Sequence, residues 1–192
     1  MTPKHQAVVV AYDFSPVGAA VLARAVALVS RAPSHVLHFV TAIDPHDGIR
    51  AIPHKERVDH HYADQVRDAM SEAIRQSFGA TPIPDEIHFF VHARIGKPAQ
   101  EILELAEDVG ADLVLVGTHG YTGVQRLVMG STAEQVVRTA GCPVLVVRAK
   151  RYSDIELPKV TEIASDEHHA SSARRYSYQH DKLTLRPYEW PM

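Results

Sequence analysis

Two short apolar runs separated by glycine-rich loops constrain this chain more than any other feature. Residues 111–148 read ADLVLVGTHGYTGVQRLVMGSTAEQVVRTAGCPVLVVR. The runs 113–116 and 144–147 are apolar at every position. A strand of that kind must be covered on both faces, as in a parallel sheet. Gly117, Gly120 and Gly123 follow the first run, and Gly130-Ser131 precedes a helical segment. In an open α/β sheet, ligands bind just beyond the carboxyl ends of the strands. Glycines there let backbone N–H groups approach an anion, because no β-carbon stands in the way.

The preceding chain repeats the same alternation. Residues 6–12 (QAVVVAY) read as a buried strand. Ser15 can cap a helix and Pro16 suits its first turn. Gly18, Val21, Leu22, Ala25 and Val29 then share one helical face. Residues 35–42 (HVLHFVTA) form a second strand, and 43–57 a polar connection with Pro45, Gly48 and Pro53. A helix is expected over 58–78, its apolar face made of Tyr62, Val66, Met70, Ala73 and Ile74. Residues 86–95 (EIHFFVHARI) form a third strand. Gly96-Lys97-Pro98 opens a helix with the stripe Ala99, Ile102, Leu103 and Ala106, ending near Gly110. A last helix spans 132–140. The order β-α-β-α-β-α-β-α-β predicts a doubly wound α/β domain, a Rossmann-like open sheet of five mainly parallel strands with helices on both faces.

That domain covers residues 1–149 of a 192-residue chain. Residues 150–192 form a C-terminal tail of scattered charges, with prolines and a late aromatic group (Tyr176, Tyr178, Tyr188, Trp190). It reads as a surface-laid tail, or as a docking arm anchored by Tyr188 and Trp190. The net charge of −3 gives no footprint for nucleic acid. No apolar run nears a membrane span, no signal peptide is visible, and a single cysteine, Cys142, fits a reducing compartment. A cytoplasmic location is expected. The adjacent pairs His60-His61 and His168-His169 point their side chains apart, which is poor chelate geometry.

Two common nucleotide motifs are absent. No GxGxxG follows the first strand, where the chain reads Tyr12-Asp13-Phe14-Ser15. Gly96-Lys97 does not end a Walker A loop, because Val91 stands at the first glycine position and Pro98 where Ser or Thr is required. What remains is Gly117-x2-Gly120-x9-Gly130-Ser131. Ser131 with Glu134 fits a capping box, either alone or combined with a phosphate contact. Arg126, between the loops, is a bidentate phosphate donor or a solvated residue. Asp13 is suited to ribose hydroxyls or to Mg²⁺, or else to a turn. His119 donates to a phosphate or shapes the loop.

This glycine spacing, with Asp13 after strand one and the closing 141–147 strand, resembles the universal stress protein family, and its ATP-binding branch in particular. The likeness covers nearly all of residues 5–149. It implies that Gly117, Thr118, His119 and Gly120 form the first half of a phosphate loop, and that Gly130, Ser131 and Thr132 form the second. It also implies that Asp13 lies near the ribose and metal end, and that Ala11, Phe39 or Val40, and Val116 surround adenine and ribose. Gly123 and Arg126 lie between the two halves. Ala11 stands where many nucleotide-binding members carry proline. The implied function is an ATP- and Mg²⁺-binding stress-response regulator that switches shape or partner, with at most slow hydrolysis and protein partners yet unknown. The family further implies a homodimer through strand five, from Val144 to Arg148, whose edge exposes pairing groups. Two alternatives are an adenylating enzyme of the adenine-nucleotide α-hydrolase kind and a dimeric scaffold without nucleotide. The first normally carries a Ser-Gly-Gly-x-Asp-Ser loop, where this chain has Asp13-Phe14-Ser15-Pro16.

Overall fold

The protein is described from a computed structural model, over residues 5–30, 34–53, 57–79, 87–120, 129–149, 178–180 and 183–185. The chain forms two compact units, Met1–Lys150 and Arg151–Met192. In the first unit, β1 (Gln6–Ala11), α1 (Pro16–Val29), β2 (His35–Ile43), α2 (His60–Gly79), β3 (Phe89–Ile95), α3 (Pro98–Asp108), β4 (Leu113–Gly117), α4 (Ser131–Thr139) and β5 (Val144–Val147) alternate strictly. The second unit contains the antiparallel pair β6 (Tyr178–His180) and β7 (Leu183–Leu185). The tail aromatics Tyr176, Tyr188 and Trp190 lie outside the described residues.

All five strands of the first unit are parallel, in the order β3-β2-β1-β4-β5. The chain builds outward from β1 to β3, then crosses back to lay β4 on the other side of β1. The crevice between β1 and β4 is therefore a topological switch point, where loops leave the sheet in opposite directions. Successive side chains of the central strands enter two separate cores. Val8, Val10, Leu37, Phe39 and Leu115 pack beneath α1 and α2, whereas Val9, Val40, Val114 and Val116 pack beneath α3 and α4. Covering on both faces explains why these strands are apolar throughout.

Local signals account for most helix boundaries. Ser15 caps α1, its side chain accepting from Gly18 N at 3.0 Å, and Pro16 occupies the first turn. Pro98 likewise opens α3. Gly110, at φ +60°, ends α3 in the left-handed conformation, with Ala111 N donating to Ala106 O at 2.8 Å. Within α3 the deeply buried residues are Ala99, Ile102 and Leu105. Leu103 and Ala106, expected in the stripe, pack only partly against the core.

The 43–57 connection, read from sequence as merely polar, is built locally over its described part. Asp44 Oδ1 accepts from His46 N at 2.7 Å and Asp47 N at 2.9 Å. These amide bonds hold the Asp44 carboxyl below its ordinary pKa. Gly48 supplies a positive φ of 61°, and Ile49 is buried with Val58, Tyr62 and Val66 of the α2 side. The Tyr62 hydroxyl accepts from Ile49 N at 2.8 Å and donates to Ile52 O at 2.5 Å. One side chain of α2 thus ties down a segment ten to thirteen residues before it.

Candidate functional site

A cavity of about 350 Å³ opens at the carboxyl ends of β1, β2 and β4. Its floor is the end of β1. After Ala11 the chain turns through Tyr12, Asp13 and Phe14, the last at φ +62°, a conformation uncommon for a residue with a β-carbon. Thr41 Oγ1 donates to Tyr12 O at 2.7 Å and fixes this turn to β2. Asp13 Oδ1 accepts from Ser15 N at 3.0 Å and Ser15 Oγ at 2.6 Å. Ser15 Oγ in turn accepts from Gly18 N, so the helix cap and the cavity carboxylate are one chain of hydrogen bonds.

One wall is formed by the two glycine loops, which touch backbone to backbone. Gly130 N donates to Thr118 O at 2.7 Å. A β-carbon at Gly130 would lie 3.2 Å from that oxygen and 3.3 Å from His119 Cα, closer than side chains normally approach. At Gly120, a β-carbon would collide with Asp13 Oδ2. Both close approaches favour glycine, and Asp13 and both loops converge on one space.

Two details depart from the sequence reading. Ser131 and Glu134 do not form a capping box. Gly130 is the N-cap of α4, Ser131 is the first helical residue, and Glu134 pairs with Arg138 at 2.9 Å. The Gly130 amide is drawn to Thr118 O and its carbonyl takes the Glu134 amide at 2.9 Å, which moves the helix start one residue earlier. The donors also shift. The Thr118 amide is committed to Val147 O at 3.0 Å and the Gly130 amide to Thr118 O. The amides of Ser131, Thr132 and Ala133 precede the first intrahelical bond of α4 and carry the positive end of its dipole.

Of the residues singled out from sequence, Ala11, Asp13, Val40, Val116, Gly117, His119, Gly120, Gly130, Ser131 and Thr132 line this cavity. Thr118 is buried behind it and bonds His119 Nδ1 through Oγ1 at 3.0 Å. Phe39 is fully buried in the opposite core, so of the pair Phe39 and Val40 only Val40 faces the cavity. Gly123 and Arg126 lie outside the described residues. The sequence reading missed the far wall, formed by Ala42 of β2, by Asp44, Ile49 and Arg50 after it, and by Pro98 and Ile102 of α3. Its one legible signal was the Asp44–Gly48 turn chemistry, Asp four residues before Gly.

Elsewhere, Cys142 is half-buried. Burial, with Asp112 nearby, pushes its thiol pKa up and away from a reactive thiolate. No described helix is long and apolar enough to cross a membrane.

A parallel sheet with a topological switch point, glycine loops at strand ends and a helix N-terminus facing a carboxylate defines an α/β protein with a ligand crevice of the nucleotide-fold type. Residues 4–148 match the model of the universal stress protein family, and the chain belongs to that family. It is 55% identical over 53 residues to universal stress protein MJ0531 of Methanocaldococcus jannaschii, a segment covering 28% of this chain and 31% of that one. It is 36% identical over 81 residues to universal stress protein E of Escherichia coli, covering 42% of this chain and 24% of the relative. The matched segments thus span about a third or less of these relatives' lengths. UspA of Lactobacillus plantarum shares the fold at a TM-score of 0.58 and 24% identity, over 77% of this chain and 100% of that structure. A universal stress protein in complex with cAMP superposes at a TM-score of 0.54 and 24% identity, over 77% of this chain and 99% of that one.

Proposed function

We propose that this protein is an adenine-nucleotide-binding regulator that takes ATP with Mg²⁺ and answers by a change of shape or partner. The observation that carries this reading is the locking of Thr118–Gly120 to Gly130–Ala133 around the Asp13 carboxylate. A solved universal stress protein with a similar fold holds cAMP, which supports an adenine ligand. Phosphate oxygens would face the Ser131–Ala133 amides at the α4 N-terminus, and the base would lie toward Val40 and Ile102. A carboxylate beside phosphates is unfavourable unless a cation or hydroxyl lies between them, which gives Asp13 two roles: accepting ribose hydroxyls, or holding Mg²⁺. The cation would supply charge neutralisation there. Asp13 Oδ1 is already engaged by Ser15, so Asp13 is suited to orienting a ligand, and switching fits the site better than fast turnover. Melting the protein with and without ATP-Mg tests this: at 100 times the dissociation constant, the ligand adds about 2.7 kcal/mol. No shift at millimolar nucleotide would overturn it.

The same reading includes a homodimer. Among the described residues β5 pairs only with β4, and two such terminal strands can pair across a two-fold axis. Sedimentation at micromolar concentration should give a dimer; a monomer throughout would refute this part alone.

A further inference from the structure

The cavity wall opposite the glycine loops carries a cation, Arg50. The strap from Asp44 to Ile52 follows β2, and its Asp44, Gly48, Ile49 and Arg50 line the cavity. Its shape is set by the Asp44 turn, the positive φ of Gly48 and the Tyr62 hydroxyl, which grips Ile49 and Ile52. Ile49 is anchored in the core, and the next residue, Arg50, is exposed and lines the cavity. No ion pair joins Arg50 to a described carboxylate.

Sheet order decides which end of a ligand Arg50 meets. The strap follows β2, the glycine loops follow β4, and β1 lies between them. Neighbouring strands are about 4.8 Å apart, so strap and loops stand about 10 Å apart across the cavity. On the β2 and α3 side the cavity is lined by Val40, Ala42, Pro98 and Ile102, apolar residues that suit a planar ring rather than phosphates. A guanidinium is planar, weakly hydrated and stacks on aromatic faces.

Resting on the nucleotide reading, we propose that Arg50 is a base-recognition residue. Its guanidinium stacks on the purine ring of the bound nucleotide, and Tyr62 positions it by pinning the strap. The strap then reads the ring and not the phosphate count.

Calorimetric titration of the full chain with AMP and with ATP-Mg tests this on wild type, Arg50→Ala, Arg50→Lys and Tyr62→Phe. Arg50→Ala should weaken both ligands by the same factor, about 3- to 30-fold. Arg50→Lys should lose most of that factor too, because the charge remains but the plane does not. Tyr62→Phe should weaken both ligands in parallel. A loss that grows from AMP to ATP and is rescued by lysine would overturn the proposal and assign Arg50 to the phosphates. Unchanged binding in the Arg50 variants, with wild type binding normally, would also overturn it while leaving the nucleotide site standing. Failure of wild type to bind either ligand would remove both readings.

Discussion

The carboxylate of Asp13 lies so close to Gly120 that no β-carbon fits between them. The contact joins the first βα turn of the sheet to the loop after β4, a hundred residues later in sequence. Gly18 crowds the other carboxylate oxygen, Oδ1, in the same way. Asp13 is thus clamped by two glycines and two Ser15 hydrogen bonds.

Gly120→Ala should displace the Asp13 carboxylate, since a side-chain end moves more cheaply than backbone. Folding stability should change by less than about 1 kcal/mol, by analogy with surface substitutions. The ATP-Mg melting shift should shrink or vanish. A full shift in the variant would show that the position of Asp13 is irrelevant to the ligand.

Gly117→Ala should act on the fold. Its β-carbon would stand 2.7 Å from Val17 Cγ1 and 3.5 Å from Val21 Cγ2, so α1 would have to move off β4. Overpacking of this kind costs about 1–3 kcal/mol. A urea midpoint equal to wild type would contradict the packing described.

Ser15→Ala removes the α1 cap and both side-chain links to Asp13 and Gly18. A lost serine cap costs about 0.5–2 kcal/mol. Nucleotide affinity should fall as well, because Asp13 loses one of its two holding bonds. Denaturation and titration of the same preparation separate the two effects.

Acid should destabilise the protein through His38 and His92. These rings sit 3.3 Å apart, Nδ1 to Nε2, on neighbouring strands, with Phe90 stacked on His38. Burial lowers the pKa of both, and the charges of His38 and Arg94 further lower that of His92, against a smaller opposing effect of Asp108. A histidine with a depressed folded-state pKa binds fewer protons folded than unfolded. The stabilisation is therefore complete above the unfolded value of about 6.5 and is lost as pH falls below it. His92→Gln should flatten the melting temperature between pH 7 and 5 relative to wild type. Equal pH slopes would assign the acid sensitivity to other groups.

The sequence by itself determined the alternating strands and helices, the parallel sheet and the glycines at the strand ends. These follow from period, β-branching, caps and breakers, which act over a few residues. It left Phe39 and Val40 unresolved, because a strand buried on both faces has no polar side to set its orientation; packing against α1 and α2 placed Phe39 away from the cavity. Ser131 carried a capping signature that the bond from Gly130 to Thr118 overrode. Arg50 was invisible, since its place depends on a hydroxyl from Tyr62 in the next helix. Local energies name the elements. Only contacts between distant segments decide which backbone amides remain unpaired, and which side chains meet in the crevice.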